Sequence, residues 1–385
     1  FIVGFVNAEL EVATVEEALE GARDILAEEF AQDIVIRERV RSELKTKGII
    51  KSEKTDAEDE RSLYRDYYDF SQPINRLAAH RVMALFRGER EEILKVHLEL
   101  PFDILPALKR AAGWIDSLAY YSELEEAAID SFSRLLFPSI EREVRTQIRE
   151  EAEERAIHVF ARNLRDLFLQ PPLGEKVVMG IDPGYRTGCK LAVIGRDGAL
   201  LYHDVIFPTP PQNDYAGSAM KVVQAANLLG VELISIGNGT GSRETEQFVS
   251  RLIKEHGLAI KYMITTESGA SVYSASKVAI EEFPDQDVTT RGAISIARRV
   301  QDPLAEYVKI PPEAIGVGMY QHDVNQSELK KALDREVESV VNMVGVNLNT
   351  ASEHLLKYIS GLGPKVASSI VKYRSENGPF KNRKD

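Results

Sequence analysis

The chain has 385 residues, of which 44% are hydrophobic and 28% are charged, a balance typical of a water-soluble folded protein with two or three domains. No apolar run approaches the ~20 residues that cross a membrane and no signal peptide is recognised, so we expect a cytoplasmic protein without a membrane partner. Its formal net charge of −12 argues against a surface coated in nucleic acid, and its single cysteine, Cys189, excludes an internal disulfide and a structural zinc site.

The first 170 residues are predicted to be helical throughout. Thr14 is expected to cap a helix, because Glu17 stands three positions later in the capping-box pattern and apolar residues follow at helical spacing. A long amphipathic helix is predicted up to Pro171-Pro172, which stop it. The arginine-rich stretch between these helices is interpreted as helix packing with solvated arginines, with a nucleic-acid groove as the alternative. Trp114 is expected to be a core aromatic residue.

A domain boundary is predicted at Pro171-Pro172-Leu173-Gly174, where helical spacing gives way to runs of β-branched residues. Three apolar runs joined by short turns, KVVMGID, CKLAVIG and LLYHDVIF, predict an antiparallel meander. Two further strands follow, each after a helix, so the order of elements is βββαβαβα. This order differs from strict βαβ alternation and fits a mixed five-stranded sheet of the ribonuclease H type.

Helical patterning returns from about residue 311. We therefore expect a multidomain chain with α and α/β parts. Residues 1–173 would form a helical region, residues 174–310 a ribonuclease H-like domain, and residues 311–385 a helical linker and a helical hairpin.

Three carboxylates of the central domain stand where metal ligands would be expected. Asp182 ends the first predicted strand, Glu267 ends the last predicted strand, IKYMITTE, and Asp302 lies in the segment ARRVQDPLAE. Mg²⁺ takes oxygen ligands, and two ions ~4 Å apart can activate water for phosphodiester cleavage. Asn238, a weak neutral ligand, follows the fourth strand where a carboxylate would be expected. The alternative is that Asp182 caps the turn at Pro183-Gly184.

A glycine-rich turn follows the fourth strand, before a helix expected to begin at Ser242. Backbone N–H groups at a helix N-terminus favour an anion such as phosphate. No lysine follows the glycines, so ATP hydrolysis is not indicated. The alternative is a tight turn between packed elements. The candidate anion-binding residues are Gly237, Asn238, Gly239, Thr240 and Ser242.

The segment YISGLGPKVASSIVKYR predicts two helices joined by a glycine corner, the pattern of a helix-hairpin-helix. Its glycines would let a nucleic-acid backbone approach, and amides at the second helix would bind phosphate without reading bases. Seven basic residues between positions 357 and 384 face only one acidic residue, Glu376. The alternative is an ordinary helical hairpin. The candidate nucleic-acid ligands are Gly361, Leu362, Gly363, Lys365, Lys372 and Arg374.

Taken together and in order, several stretches resemble the Tex family of bacterial transcription accessory proteins. They are GIDPGYRTGCKLAV, IGNGTGSRETE, ESGASVYSASKVAIEEFPD, RGAISIARRVQDPLAEYVKI, IGVGMYQHDVNQ, VNLNTASEHLL and ISGLGPKVASSIVKYR. The resemblance covers essentially the whole chain. It implies a helical N-terminal region with a helix-turn-helix-like part, a YqgF domain of ribonuclease H-like fold, and helix-hairpin-helix elements. Since an OB-fold RNA-binding domain normally follows in this family, we expect the chain to be a piece of a longer protein.

The resemblance implies nucleic-acid binding linked to transcription. We expect a non-catalytic scaffold that binds the backbone of RNA, DNA or both without strong sequence specificity and requires no cofactor. The first alternative is a Mg²⁺-dependent nuclease, similar to a Holliday junction resolvase, that uses Asp182, Glu267 and Asp302. Asn238 belongs to the family's own IGNGT motif and weighs against that alternative. The second alternative is a protein-interaction scaffold on the transcription machinery, which the acidic helical half would suit.

Overall fold

The computed structural model describes residues 2–10, 12–111, 120–349 and 351–382. The chain divides into two compact units, Phe1–Ala156 and Ile157–Asp385. Trp114, expected to be a core residue, and the basic residues Arg383 and Lys384 lie outside the described residues. Within the described ranges, no helix combines the length and apolar character that a membrane span requires.

The first unit is mainly helical, as predicted, and it also contains a small sheet. Its elements in chain order are α1 (Val15–Gln32), α2 (Ile34–Lys47), β1 (Ile49–Lys54), β2 (Asp69–Pro73), α3 (Ala79–Arg90), β3 (Leu94–Glu99), α4 (Leu105–Ala111), α5 (Tyr121–Asp130) and α6 (Phe137–Phe168), the last of which continues into the second unit.

The ends of two helices confirm their sequence signals. Thr14 Oγ1 accepts the N–H of Glu17 at 3.1 Å, and Glu17 Oε2 accepts the N–H of Thr14 at 3.0 Å. This is the predicted capping box, and it satisfies two N–H groups that the helix leaves free. The long helix α6 ends at Phe168, shortly before Pro171-Pro172, as the prolines predict.

The prediction of an all-helical first region is wrong for three strands. The central strand β1 pairs antiparallel with β2 and with β3. In β3 the side chains of Leu94, Val96 and Leu98 are buried and alternate with more exposed residues, which is the two-residue period of a half-buried strand. Side chains of α6 cover the open edge of β3, because Arg145 Nη1 donates to Val96 O at 2.7 Å and Glu141 Oε1 accepts the N–H of Leu98 at 2.8 Å.

The second unit confirms the predicted mixed five-stranded sheet. The strand order is β6-β5-β4-β7-β8, with β4, β5 and β6 antiparallel and with β7 and β8 parallel to β4. The strands and helices of this part are β4 (Val178–Asp182), β5 (Cys189–Ile194), β6 (Leu200–Ile206), α7 (Tyr215–Leu229), β7 (Leu233–Gly237), α8 (Ser242–His256), β8 (Lys261–Thr265), α9 (Ala270–Ser274), α10 (Lys277–Glu282) and α11 (Val288–Gln301).

The three central strands, β5, β4 and β7, are buried on both faces of the sheet. One face packs against α7 and α8, with Val222 and Phe248 in that layer. The other face packs against α11, which approaches closely because Gly180 has no side chain. A Cβ atom on Gly180 would lie 2.9 Å from the Cβ of Ala297. The contact between α11 and β4 fixes which residues of the helix reach each end of the sheet.

Helices follow the sheet as far as Asn377, as predicted. They are α12 (Pro303–Tyr307), α13 (Gln326–Val344), α14 (Glu353–Leu356) and α15 (Pro364–Asn377). The long helix α13 buries Leu329, Leu333 and Val337 at helical spacing. The compact second unit therefore contains both the ribonuclease H-like sheet and the C-terminal hairpin.

Candidate functional site

Two of the three predicted carboxylates lie at the same edge of the sheet. The strands β4, β7 and β8 are parallel, so their carboxyl ends share that edge. Asp182 is the last residue of β4, and Glu267 follows β8 by two residues. A Cβ atom on Gly237, at the end of β7, would lie 2.7 Å from Glu267 Oε2 and 3.1 Å from Pro183 Cδ. The glycine therefore lets the carboxylate of Glu267 reach across β7 towards Asp182.

Burial disfavours the charged forms of both carboxylates, and at Asp182 the charge of Glu267 adds to this effect. Burial, and then the charge of Glu267, raise the pKa of Asp182 to about 6, while Lys190 acts in the opposite direction. Burial also raises the pKa of Glu267, against the effects of the Gly239 N–H and of Arg299. No described residue donates a hydrogen bond that lowers the pKa of Asp182, so the predicted turn cap finds no support.

The structure does not bring Asp302 to these two residues. Asp302 follows the last residue of α11 and caps α12, because its Oδ1 accepts the N–H of Ala305 at 3.0 Å. The residue of α11 that faces Asp182 is Gly292, whose Cβ position lies 3.1 Å from Asp182 Oδ2. Asp302 stands ten positions after Gly292 along this helix, a distance of ~15 Å. Among the described residues, no three His, Cys, Asp or Glu side chains are grouped to hold a metal.

The glycine-rich turn after β7 binds the carboxylate of Glu267. The N–H of Gly239 donates to the Glu267 carboxylate, and Asn238 Oδ1 accepts the N–H of Glu267 at 3.1 Å. The N–H of Ser242 donates to Gly239 O at 3.1 Å, while Thr240 is exposed. Asn238 is therefore a link between the ends of β7 and β8. The tight-turn alternative describes this segment better than an open phosphate site does.

The predicted glycine corner of the C-terminal hairpin is exposed. Gly361 has a φ of +86°, in the left-handed region that favours glycine, and it precedes α15 by three residues. For Gly361 and Gly363, no heavy atom of the described residues lies within 4 Å of the Cβ position, apart from chain neighbours. The N–H of Leu362 donates to Ile359 O at 2.9 Å. The N–H groups of Gly361, Gly363 and Lys365 have no hydrogen-bond partner among the described residues.

Two lysines of α15 are exposed beside this corner, whereas the arginine is used internally. Lys365 and Lys372 are seven residues apart and so lie on one helix face. Among the described residues, Lys372 forms a long ion pair with Glu376, at 3.9 Å. Arg374 Nη1 donates to the carbonyl oxygens of Leu348 and Ala351 at 2.8 and 2.7 Å. Arg374 therefore connects α15 to the loop residues Leu348 and Ala351 by hydrogen bonds, and it does not lie with Lys365 and Lys372 on the exposed face of the helix.

Two buried cations lie near Asp182 and Glu267. The sequence placed Arg299 beside the possible active face, as a phosphate ligand or an ion-pair partner of Glu281 or Glu282, but it did not point to Lys190. Lys190 is 9% exposed, and its Nζ donates to Thr187 O at 2.7 Å and to Gly188 O at 2.9 Å. Arg299 is 1% exposed, and its Nη1 donates to Thr266 O at 2.6 Å. Lys190 is the one charged residue in the buried strand CKLAVI. A charged residue within such an apolar run could have indicated a functional or structural role for Lys190, because a buried charge requires partners.

Comparison with known families agrees with this architecture. The family model described as Tex central region-like matches residues 1–160. The Tex protein YqgF-like domain matches residues 176–301, which include the five-stranded sheet. A helix-hairpin-helix motif matches residues 341–385, which include the glycine corner.

Relatives in bacteria and in humans match nearly the whole chain. The uncharacterized protein YdcI of Bacillus subtilis is 48% identical over 99% of this chain and 53% of its own length. Protein tex of Bordetella pertussis is 43% identical over 98% of this chain and 50% of its own length. The human S1 RNA-binding domain-containing protein 1 is 37% identical over 97% of this chain and 39% of its own length. The chain spans about half the length of these bacterial relatives. It belongs to the Tex family.

Proposed function

We propose that this chain is part of a nucleic-acid-associated transcription accessory protein and that it contacts the sugar-phosphate backbone of RNA or DNA through its hairpin corner, Gly361–Lys365. One observation carries the proposal. Three N–H groups in this corner, those of Gly361, Gly363 and Lys365, have no hydrogen-bond partner among the described residues and stand on an exposed surface.

The chemistry of this corner suits a phosphate group. Unpaired N–H groups at the start of the 14-residue helix α15 point their partial positive charge outwards, and the helix dipole adds to it. The ammonium groups of Lys365 and Lys372 extend this positive surface along the helix. Contacts of this kind fix a nucleic acid by its backbone and carry no sequence information, so weak sequence specificity is expected.

The names of two relatives support the link to nucleic acid and transcription. The human relative is called an S1 RNA-binding domain-containing protein, and a relative from Neisseria gonorrhoeae, 41% identical, is called a transcriptional accessory protein. Docking on the transcription machinery remains a prediction for this chain.

Binding to labelled oligonucleotides tests the proposal. Single-stranded RNA, single-stranded DNA and duplex DNA of mixed sequence would be titrated with the chain by fluorescence anisotropy at several salt concentrations. We expect Lys365→Glu to weaken binding to every oligonucleotide that the wild type binds by about tenfold. The slope of log K against the logarithm of the salt concentration should become less steep by about one to two. Lys277→Glu, the same change at an exposed lysine of α10, is the matched control and should retain most of the affinity.

The outcomes separate this proposal from the alternatives. Unchanged affinity of Lys365→Glu would remove the hairpin corner from the function. Mg²⁺-dependent shortening of the same oligonucleotides, lost in Asp182→Asn, would favour the nuclease alternative. Absence of binding by the wild-type chain to all three ligands would also contradict the proposal.

A further inference from the structure

The carboxylate pair, Asp182 and Glu267, is faced by two cations of the chain itself. Asp182 and Lys190 are directly opposed residues on the adjacent antiparallel strands β4 and β5, so their side chains leave the same face of the sheet. The charges of Lys190 and Asp182 act on each other, and Arg299 acts in the same way on Glu267. The formal charges of these four side chains cancel.

The ammonium of Lys190 is held firmly in its position. Its Nζ donates to the carbonyl oxygens of Thr187 and Gly188 and to the hydroxyl of Thr187. These three acceptors belong to the short turn between β4 and β5, and together they satisfy all three ammonium hydrogens. Lys190 is therefore a fixed part of the edge and not a mobile surface lysine.

A ribonuclease H-like fold implies a divalent cation at this edge, but the residues present do not fit one. Mg²⁺ requires several oxygen ligands, mostly anionic, in octahedral geometry. The facing helix offers Gly292 next to Asp182, where no side chain can ligate. The oxygens of Glu267 and Asn238 already accept backbone N–H groups. A divalent cation would also meet the positive charges of Lys190 and Arg299.

We propose that Lys190 takes the electrostatic role of the metal, so that the carboxylate pair is stabilised by cations of the chain and the edge binds no divalent ion. The inference rests on the geometry of the pair and is independent of the hairpin corner. Removing the charge of Lys190 leaves a net negative edge with two converging carboxylates. Such an edge attracts a divalent cation through its net charge, so Lys190→Met should gain weak divalent-ion binding that the wild-type chain lacks, with water as the ligand where Gly292 has no side chain.

Mn²⁺ binding tests this inference on the full chain. Isothermal titration with Mn²⁺ alone and thermal unfolding with Mn²⁺ would be compared for the wild type, Lys190→Met, Lys190→Met/Asp182→Asn and Lys254→Met. The last variant removes an exposed lysine of α8 and controls for the loss of one surface charge. We expect Lys190→Met alone to gain a site with millimolar affinity, seen as a rise in Tm of roughly 2 °C or more at saturating Mn²⁺. Adding Asp182→Asn should abolish that gain.

Two results would overturn the inference. One is a Mn²⁺ site in the wild-type chain that Asp182→Asn removes, since the wild type would then hold a metal despite Lys190. The other is a folded Lys190→Met protein without any Mn²⁺ response beyond that of Lys254→Met. If Lys190→Met does not fold, the comparison of the wild type with Asp182→Asn still decides, because equal and negligible Mn²⁺ binding by both is the expected result.

Discussion

Replacing Asp182 with asparagine should stabilise the second unit in a way that depends on pH. The folded pKa of Asp182, about 6, lies above the model-compound value of 3.8, so the folded state binds this proton more tightly than the unfolded chain does. The stability that this proton contributes is fully present below pH 3.8 and is lost as the pH rises through about 6. At pH 7.5 the wild type therefore bears the full cost of a half-buried carboxylate, whereas asparagine bears none.

The size of the effect follows from the shift. About two pKa units at 1.36 kcal/mol each give an upper bound near 3 kcal/mol, which partial access of water reduces to roughly 2 kcal/mol. The free energy of unfolding of Asp182→Asn relative to the wild type should thus rise by roughly 2 kcal/mol between pH 4 and pH 7.5. Glu267 and Lys190 face Asp182 in both proteins, and Asp287 acts on Lys190 in both, so the difference reports the titration of Asp182 together with its coupling to Glu267.

Urea unfolding followed by circular dichroism at several pH values measures this difference. The chain has two compact units, so the unfolding transition that shifts between the two proteins is the one compared. Asp285→Asn, the same change at an exposed position of the same unit, controls for the change of residue type. A difference that stays constant from pH 4 to pH 7.5, or that turns against the variant as the pH rises, would refute the reasoning.

Three further substitutions test other parts of the structure. Gly363 has an ordinary φ of −70° and open space at its Cβ position, so Gly363→Ala should leave Tm unchanged. The added methyl group would lie where a phosphate approaches, so oligonucleotide binding should weaken severalfold. Gly361→Ala should instead lower stability by about 1–2 kcal/mol in urea unfolding, because its φ is +86°. Gly239→Ala should lower the stability of the YqgF domain, because a Cβ atom there clashes with the carboxylate of Glu267; an unchanged urea midpoint would contradict this packing.

The fold of the second unit could be predicted because its signals are local. Each buried strand is a short run of β-branched and apolar residues, and each helix shows apolar residues at helical spacing between caps and breakers. The order of these elements leaves few topologies with right-handed connections between parallel strands. The strands of the first unit were missed because runs of only five or six residues were included in a region interpreted as helical throughout.

The site shows where sequence reasoning stops. A strand end is encoded locally, so Asp182 and Glu267 could be placed at one edge from the sequence alone. Which residue of α11 faces Asp182 depends on the position of the helix along the sheet. The close contact at Gly180 places Gly292 beside Asp182 and leaves Asp302 at the far end of the helix. The inward position of Arg374 depends likewise on carbonyl oxygens more than twenty residues away.

The sequence by itself determined the strands and helices of the second unit, the family and the glycine corner, since each of these depends on residues close together in the chain. Only the tertiary structure decided which charges meet. Electrostatic interactions act through space between residues that the fold brings together. Asp182, Lys190 and Arg299 come from three different elements, and Glu267 comes from the loop after β8.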